Sequence, residues 1–237
     1  MQNIKCVIAA GGLGTRLQNF RNNNSTKILL EVLDVPMINR QIEQLNSWGF
    51  ENFVIITNPE YSALIKEVVT EAFSNFDIQF AIQDEPKGIS HALQHAENFV
   101  KNEKLFFVLG DNFFENNPLE GFDLNKFNSG AFIFTKIVDN PEEFGVAQMD
   151  QDGNVISIEE KPEMPKSNDA VVGAYMFDES VFEKISILQP SARGEYEITD
   201  LCNLYVNEKN CKNSSIEGWW IDAGTPERII ELEEKLA

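Results

Sequence analysis

Residues 5–17 read KCVIAAGGLGTRL, a short apolar run that ends abruptly in a glycine-rich segment. A continuous apolar run of this length, closed by glycines, is typical of a strand that is buried on both faces of a sheet. Gly11, Gly12 and Gly14 let the backbone approach a ligand closely and aim N–H groups at anionic oxygens. This stretch therefore predicts a buried strand that leads into an anion-binding turn.

Strands and helices alternate after this turn. Apolar spacing predicts helices over residues 37–48, 61–73 and 89–100, and strands over 53–57, 78–82 and 105–109. Such alternation is typical of parallel strands joined by crossover helices, hence of an open α/β sheet. Ligands in these sheets bind beyond the carboxyl ends of the strands, which directs attention to loops 83–88 and 110–112.

The pattern changes after Gly130, where short strands and hairpin turns predominate. Strands are predicted over residues 131–138, 146–149, 155–160 and 171–177, with a turn at 151–154 and a final helix over 226–237. We expect one α/β domain whose sheet is open and mostly parallel. Residues 1–129 would form a Rossmann-like half, and residues 130–237 a smaller β-rich half that caps it.

The charge of the chain excludes several functions. With 38 acidic and 19 basic residues the formal charge is −19, which repels nucleic acids and acidic membrane surfaces. A phosphate ligand would need a local cluster of Arg, Lys, backbone N–H groups and metal to reverse this field. No apolar run approaches the length of a membrane span, and the N-terminus lacks a signal-peptide pattern, so we predict a cytoplasmic protein.

The cysteines and histidines carry no recognisable motif. Three cysteines form neither an even disulfide framework nor a C-x-x-C pair, which favours a reducing compartment. His91 and His95 stand four apart on a predicted helix and resemble a metal pair, but the sequence shows no third ligand nearby. We interpret both histidines as structural.

Two candidate sites follow predicted strands in the first half. The glycine-rich turn with Lys27 is no Walker A loop, and Leu17 stands where the third glycine of a dinucleotide fingerprint should be, which disfavours an NAD-dependent oxidoreductase. Asp111, just after the strand at 105–109, would place a carboxylate at the mouth of the sheet, where it suits Mg²⁺. The alternatives are an ordinary tight turn and a turn or capping aspartate.

Two further constellations lie in the second half. Lys161 and Arg193 could hold a phosphate monoester, Glu160 could accept hydroxyl groups of a sugar, and Asp222 could supply a second metal carboxylate. Taken singly, each of these residues is more commonly a surface charge or a helix cap. Their joint occurrence in this order along the chain is what favours a functional interpretation.

The ordered set of motifs resembles the glucose-1-phosphate thymidylyltransferases and the wider sugar nucleotidyltransferase family, over nearly the whole chain. The matching motifs are GGLGTRL (11–17), TK (26–27), PMI (36–38), Gln83 with Gly88, LGDN (109–112), FGV (144–146), EEKP (159–162), PKSN (165–168), RGE (193–195), EITD (197–200) and WIDAGT (220–225).

The resemblance implies a role for each matching residue. Nucleotide binding falls to Gly11, Gly12, Gly14, Thr15, Gln83 and Gly88, of which the last two face the base. Arg16 and Lys27 are the implied catalytic residues, which neutralise phosphate charge. Asp111 and Asp222 would hold Mg²⁺. The sugar phosphate would contact Asn112, Gly145, Glu160, Lys161, Gly173 and Arg193, with Lys161 and Arg193 on its phosphate.

The resemblance also implies a fold and a reaction. The expected fold is the nucleotide-diphospho-sugar transferase fold, with a nucleotide-binding half over residues 1–129 and a sugar-phosphate-binding half over 130–237. The expected reaction transfers a nucleotidyl group from a nucleoside triphosphate, dTTP above others, to a sugar 1-phosphate such as glucose 1-phosphate. Pyrophosphate is released, and the product serves nucleotide-sugar and surface polysaccharide biosynthesis. We also expect a homo-oligomer, either a dimer or a tetramer.

Three departures from the family pattern leave specificity open. Ile28 and Glu31 replace a polar residue and a proline, and His91 replaces a glutamine near the base loop. UTP, CTP or GTP with another sugar phosphate therefore remains an alternative, as does a noncatalytic domain that binds nucleotide sugars. The sequence stops soon after Thr225, so we expect the C-terminal regulatory helices of longer members to be lacking.

Overall fold

The computed structural model describes residues 4–12, 14, 17, 26–123, 126–151 and 153–237. Thr15 and Arg16, to which the resemblance assigns phosphate contacts, lie outside the described residues.

The described residues form thirteen strands and seven α-helices. The strands are β1 (Lys5–Ala9), β2 (Glu31–Val32), β3 (Val35–Pro36), β4 (Asn52–Thr57), β5 (Asp77–Ile82), β6 (Leu105–Leu109), β7 (Asn112–Phe114), β8 (Ala131–Ile137), β9 (Gly145–Met149), β10 (Val155–Glu160), β11 (Asp169–Phe177), β12 (Cys211–Ser215) and β13 (Trp220–Asp222). The helices are α1 (Met37–Ser47), α2 (Ser62–Ala72), α3 (Ile89–Gln94), α4 (Glu97–Val100), α5 (Val181–Ile187), α6 (Ile198–Asn207) and α7 (Pro226–Leu236).

Four parallel strands, in the order β6-β1-β4-β5, form the centre of the main sheet. β1 hydrogen-bonds to β6 on one side and to β4 on the other, and Cys6, Val7 and Ile8 are fully buried. This burial on both faces explains why the strand is continuously apolar. The predicted α/β class with a mostly parallel sheet is confirmed.

The second half extends the same sheet to nine strands. β11 runs antiparallel to β6 over Ala174–Phe177, whereas its other end, at Ala170, pairs with β9. Between these two pairings the register against β8 is irregular, and Gly173 lies within that irregular segment. β11 therefore leaves β6 near Gly173, which creates space at the carboxyl edge of the parallel strands.

Helices cover both faces of the sheet, and each face has its own apolar core. α1, α2 and α7 pack on one face through buried residues that include Ile42, Val69 and Leu232. α3, α4, α5 and α6 pack on the other through residues such as Leu93 and Leu201. The doubly covered sheet is the reason why its strands carry apolar side chains without alternation.

Several elements differ from the prediction. The helix expected over residues 89–100 divides into α3 and α4, because His95 and Ala96 donate to the carbonyls three residues earlier and tighten the chain into a turn. α5, α6, β7, β12 and β13 were not predicted. α6 begins with the β-branched Ile198 and Thr199, whose helix propensity is low, and tertiary packing of its buried face stabilises it instead.

None of the helices in the described part of the chain is both long and apolar enough to span a bilayer.

Replacing Ile55 in β4 by alanine should reduce the free energy of unfolding by about 2–5 kcal/mol, because the side chain is fully buried and its loss leaves a cavity. Ile187, which is 63% exposed at the end of α5, is the matched control. The change Ile187→Ala should alter stability by about 0.5 kcal/mol or less. Urea denaturation measures both variants, and equal effects would contradict the assignment of β4 to the core.

Candidate active site

A cavity of about 800 Å³ lies at the carboxyl edge of the parallel strands, next to the point where β11 leaves β6. Nine of the residues predicted as site residues line it. These are Gly14, Lys27, Asp111, Asn112, Gly145, Glu160, Lys161, Gly173 and Asp222.

The pairing of β7 with β13 brings the two predicted metal carboxylates to one end of the cavity. Asp222 is the last residue of β13 and lies opposite Asn112, the first residue of β7. The N–H of Ala223 donates to the carbonyl of Asp111 over 2.8 Å, which extends the ladder to that residue. A two-stranded ribbon thus places Asp111 and Asp222 in adjacent rows.

Lys27 completes this end of the cavity. It opens a short 3-10 turn, Lys27–Leu29, and its ammonium forms an ion pair and a hydrogen bond with Oδ2 of Asp111. Burial raises the pKa of Asp111, but the charge and hydrogen bond of Lys27, with a hydrogen bond from Asn112, outweigh it and lower the pKa below its ordinary value. Asp111 is therefore an anion throughout the neutral range.

Asn112 connects three elements of the site. Its Oδ1 accepts hydrogen bonds from Nε1 of Trp220 at 2.8 Å and from the N–H of Gly173 at 3.1 Å, while its Nδ2 donates to Oδ1 of Asp111 at 2.9 Å. A Cβ atom on residue 173 would lie 2.6 Å from Oδ1 of Asn112, so only glycine allows this approach. The predicted contacts of Asn112 and Gly173 with sugar stay predictions.

The hairpin of β9 and β10 lines another part of the cavity. Gly145 and Glu160 lie opposite each other in this hairpin, and Lys161 follows directly with a positive φ of 45°. The N–H of Lys161 donates to the carbonyl of Phe144 over 2.9 Å, which fixes the turn out of the strand. The hairpin therefore presents a glycine, a carboxylate and an ammonium group to one space.

Arg193 forms ion pairs with carboxylates next to this hairpin. It does not line the cavity within the described part of the chain. Its guanidinium donates to both carboxylate oxygens of Glu197, at 3.1 and 2.8 Å, and lies 3.4 Å from Glu160 and 3.5 Å from Glu195. Burial and the charge of Glu197 raise the pKa of Glu160, against the opposing effect of Lys161 and Arg193. The predicted phosphate contact of Arg193 stays a prediction.

The residues predicted to face the base form a separate group at the same edge of the sheet. Gln83 is 8% exposed, and its Nε2 donates to the carbonyl of Gly88 at 3.2 Å and contacts Nδ1 of His91 at 3.1 Å. A Cβ on Gly11 would lie 3.5 Å from Oε1 of Gln83, so Gly11 leaves the space before that oxygen open. Gly12, the next residue, is exposed.

The structure shows where the three residues that depart from the family pattern lie. Ile28 is 4% exposed and belongs to the apolar core, so it does not line the cavity. Glu31 is exposed in β2 and likewise lies away from the cavity. His91 contacts Gln83 directly and is the one of the three that touches a predicted site residue.

Sequence reasoning missed several residues of the lining. Lys136 and Arg228 add two cations, and nothing in their local sequence indicates this position. Phe144 and Trp220 also line the cavity, with ring centroids 5.1 Å apart. Phe144 opens the FGV motif next to Gly145, and Trp220 opens the WIDAGT motif two residues before Asp222. This closeness to predicted site residues is the signal that could have identified both aromatic residues.

Comparison with known proteins decides the family. A model of the nucleotidyl transferase family matches residues 5–237. The chain belongs to this family. A curated relative, the glucose-1-phosphate thymidylyltransferase of Neisseria meningitidis serogroup A, is 37% identical over 234 residues, which are 96% of this chain and 81% of the relative. The resemblance seen in the motifs is thereby confirmed.

Solved structures agree with this family assignment. A Bacillus anthracis protein assigned as a glucose-1-phosphate thymidylyltransferase, solved with sucrose, is 36% identical and superposes with a TM-score of 0.87 over 99% of this chain and 95% of its own. A UDP-glucose pyrophosphorylase in complex with UDP-glucose has a TM-score of 0.87 at 23% identity and covers 98% of both chains. At that identity the second likeness shows the shared fold.

Replacing Arg193 by glutamine should reduce the free energy of unfolding at pH 7 by about 1–3 kcal/mol, because Glu197 then stays buried without its charged partner. This loss of unfolding free energy caused by Arg193→Gln should become smaller as the pH falls. The pKa of Glu160 is already raised, so ionising Glu160 costs stability above its folded pKa, and removal of Arg193 increases that cost. Urea denaturation at pH 7 and near pH 4.5 measures the difference.

The matched control is Arg228→Gln, which removes an exposed ion pair with Glu231. Such pairs contribute about 0–1 kcal/mol, so the loss should be small at both pH values. Equal and pH-independent losses in both variants would show that Arg193 does not stabilise the buried carboxylates.

Proposed function

We propose that this chain transfers a nucleotidyl group from a nucleoside triphosphate, with dTTP preferred, to a sugar 1-phosphate, with glucose 1-phosphate preferred, and releases pyrophosphate. The observation that carries the proposal is the arrangement of the cavity. Lys27, Asp111 and Asp222 line one part of the cavity, and Glu160 with Lys161, on the β9–β10 hairpin, line another. The residues of 1–129 serve mainly the nucleotide, and those of 130–237 mainly the sugar phosphate.

The charge of the cavity supports a metal-assisted reaction. Its described lining carries four cations, Lys27, Lys136, Lys161 and Arg228, against five carboxylates, Asp111, Asp139, Glu143, Glu160 and Asp222. A triphosphate and a sugar phosphate would meet a net negative surface there. A divalent cation changes this balance, and nucleotidyltransferases of this family generally use one.

Mg²⁺ suits the donor groups at this end. Asp111 and Asp222 offer carboxylate oxygens, which Mg²⁺ prefers together with substrate phosphates, and Asp111 is held in its ionised form by Lys27. Bound there, the ion would neutralise charge on the triphosphate. Asn112 keeps the Asp111 carboxylate oriented through its own hydrogen bond.

The reaction needs little proton transfer. A phosphate monoester is largely dianionic at neutral pH, so its oxygen can attack the α-phosphorus without a general base. A bond forms between that oxygen and the α-phosphorus, and the bond from the α-phosphorus to the bridging oxygen of pyrophosphate breaks. Lys27 and Arg16 would stabilise charge on the phosphates, Lys161 and Arg193 would hold the sugar phosphate, and Glu160 would accept a sugar hydroxyl.

The hydrogen bonds of Gln83 support a thymine or uracil base. Its amide group has two N–H donors: one donates to the carbonyl of Gly88, and the other donates to Nδ1 of His91 when the neutral ring carries its proton on Nε2. Oε1 is left to accept a hydrogen bond in the space beside Gly11. Thymine and uracil present an N3–H donor and guanine an N1–H donor, whereas N3 of cytosine is an acceptor and would face another acceptor. The choice of thymine or uracil over guanine rests on the relatives of this chain.

The two lysines should affect different substrates. Lys27→Met should raise the apparent KM for dTTP or lower kcat, because it removes a cation beside Asp111. Lys161→Met should raise the KM for glucose 1-phosphate, by roughly tenfold or more for loss of a charge-assisted contact. Pyrophosphate release under varied concentrations of each substrate separates the two. The reverse pattern, with Lys161→Met acting on dTTP alone, would refute the assignment of Lys27 to the nucleotide and of Lys161 to the sugar phosphate.

Base preference tests the role of Gln83. We expect kcat/KM to be higher for dTTP or UTP than for CTP or GTP across a grid of sugar 1-phosphates. Gln83→Leu keeps the volume but removes the amide, and should lower kcat/KM for dTTP by roughly tenfold while leaving CTP turnover nearly unchanged. Gln79→Leu, within strand β5 just before Gln83, is the control. A preference for CTP or GTP in the wild type would exclude the base assignment.

A further inference from the structure

Three metal-ligating side chains meet beside Gln83, outside the cavity described above. Asp84, His91 and His95 each offer one ligand atom, and these atoms lie within 4.8 Å of one another. We infer that they form a binding site for a divalent transition-metal ion such as Zn²⁺, and that metal bound there removes Nδ1 of His91 as an acceptor for Nε2 of Gln83.

The two histidines are presented by one helix. His91 lies in the first turn of α3 and His95 directly follows its last residue, a spacing of four that places side chains on the same face. Their ring centroids are 4.8 Å apart and the rings are nearly perpendicular, at 83°. Two histidines in this spacing are a recurrent zinc-binding arrangement.

Asp84 supplies the third ligand that the sequence did not reveal. Its side chain is 73% exposed, so the carboxylate can adjust, and its Oδ1 lies 3.4 Å from Nε2 of His95. In a tetrahedral zinc site, ligand atoms about 2.0–2.2 Å from the metal lie roughly 3.3–3.6 Å from each other. The separation of Asp84 from His95 already matches that spacing.

His95 adds an independent indication. Its Nε2 is buried and makes no hydrogen bond, although it faces the carboxylate of Asp84. Buried polar atoms of side chains nearly always have a partner, and an unmatched one that faces a carboxylate is accounted for by a cation bound between the two. A metal ion between His95 and Asp84 would satisfy the lone pair of this nitrogen.

The donor set selects the class of metal. Two imidazole nitrogens with one carboxylate suit Zn²⁺, Ni²⁺ or Cu²⁺, whereas Mg²⁺ takes oxygen ligands and retains water. The oxygen-rich pair Asp111 and Asp222 therefore differs in preference from this cluster. The formal charge of −19 favours cations at both places.

Metal binding here must change the surroundings of Gln83, whichever nitrogen of His91 binds. If Nδ1 binds the metal, its lone pair is occupied and cannot accept from Nε2 of Gln83. If Nε2 binds it, the proton of the neutral ring resides on Nδ1, which then becomes a donor. Either way Gln83 loses an acceptor and its amide must reorient. The consequence for nucleotide affinity rests on the proposed function of Gln83 as the residue that faces the base.

The binding test uses the full-length, metal-free protein. Titration calorimetry with ZnCl₂ should show one tight equivalent, and His95→Gln and His91→Gln should each weaken it at least tenfold. Asp84→Asn should weaken it less. The chain contains only two histidines, so histidine-dependent binding can arise nowhere else. Unchanged zinc affinity in His95→Gln would overturn the site.

Cobalt substitution distinguishes this cluster from thiols. Cys6, Cys202 and Cys211 are buried, and a Co²⁺ spectrum with visible d–d bands but without thiolate charge-transfer bands would support nitrogen and oxygen ligands. Thiolate bands in folded protein would count against the proposal.

Kinetics tests the link to Gln83 with His95→Gln as control, since His95 touches neither Gln83 nor the cavity by the contacts described. In excess Mg²⁺, micromolar Zn²⁺ should raise the KM for dTTP several-fold in the wild type and not in His95→Gln. If Zn²⁺ binds with no change in KM, the link is wrong. If the chain shows no nucleotidyl transfer at all, the proposed function fails, while calorimetry still decides the metal site.

Discussion

The hydrogen bonds of the Asn112 side chain are the constraint on which the cavity depends. One amide joins the end of the parallel sheet at Asp111, the irregular segment of β11 at Gly173, and the ribbon strand β13 at Trp220. Each partner comes from a different part of the chain, and Trp220 is 108 residues away from Asn112. Because the amide is buried, any other arrangement would have to replace these hydrogen bonds, which strongly favours this one.

Electrostatics imposes a second requirement on an acidic protein that is to bind phosphates. Two carboxylates at or beside the cavity are paired with nearby cations, Asp111 with Lys27 and Glu197 with Arg193. These pairs keep negative charge close to the cavity without leaving it uncompensated. Such a site holds anions when further positive charge arrives with the substrate, which agrees with a reaction that uses metal-bound nucleotide.

The parts of the fold that local sequence patterns govern were predictable. β1, β4, β5 and β6 are apolar runs between turn signals, and the loops after them contain the residues that the structure gathers at one edge. β7 and β13 have three residues each and, in the described part of the chain, pair only with each other. Such short strands show no local periodicity from which they could be predicted. Glu160 and Lys161 were identified by motif, but their place in the cavity lining depends on the long-range pairing of β9 with β11 at Ala170.

The Asp84 cluster illustrates the same limit at short range. Asp84 precedes His91 by only a few residues, but Gly88 intervenes with a φ of 102° and reverses the chain between them. Periodicity describes a regular helix or strand and does not pass through such a turn. The third ligand is therefore visible only when the turn is known in three dimensions.

The β7–β13 ribbon also separates the scaffold from the site along the chain. The nine-stranded sheet uses strands up to β12, which ends at Ser215, whereas Asp222 belongs to the ribbon strand that comes after it. A chain cut after Ser215 would retain every strand of the main sheet and lose the proposed second metal carboxylate. Changes confined to the segment after β12 can therefore alter the cavity without removing a strand of the scaffold.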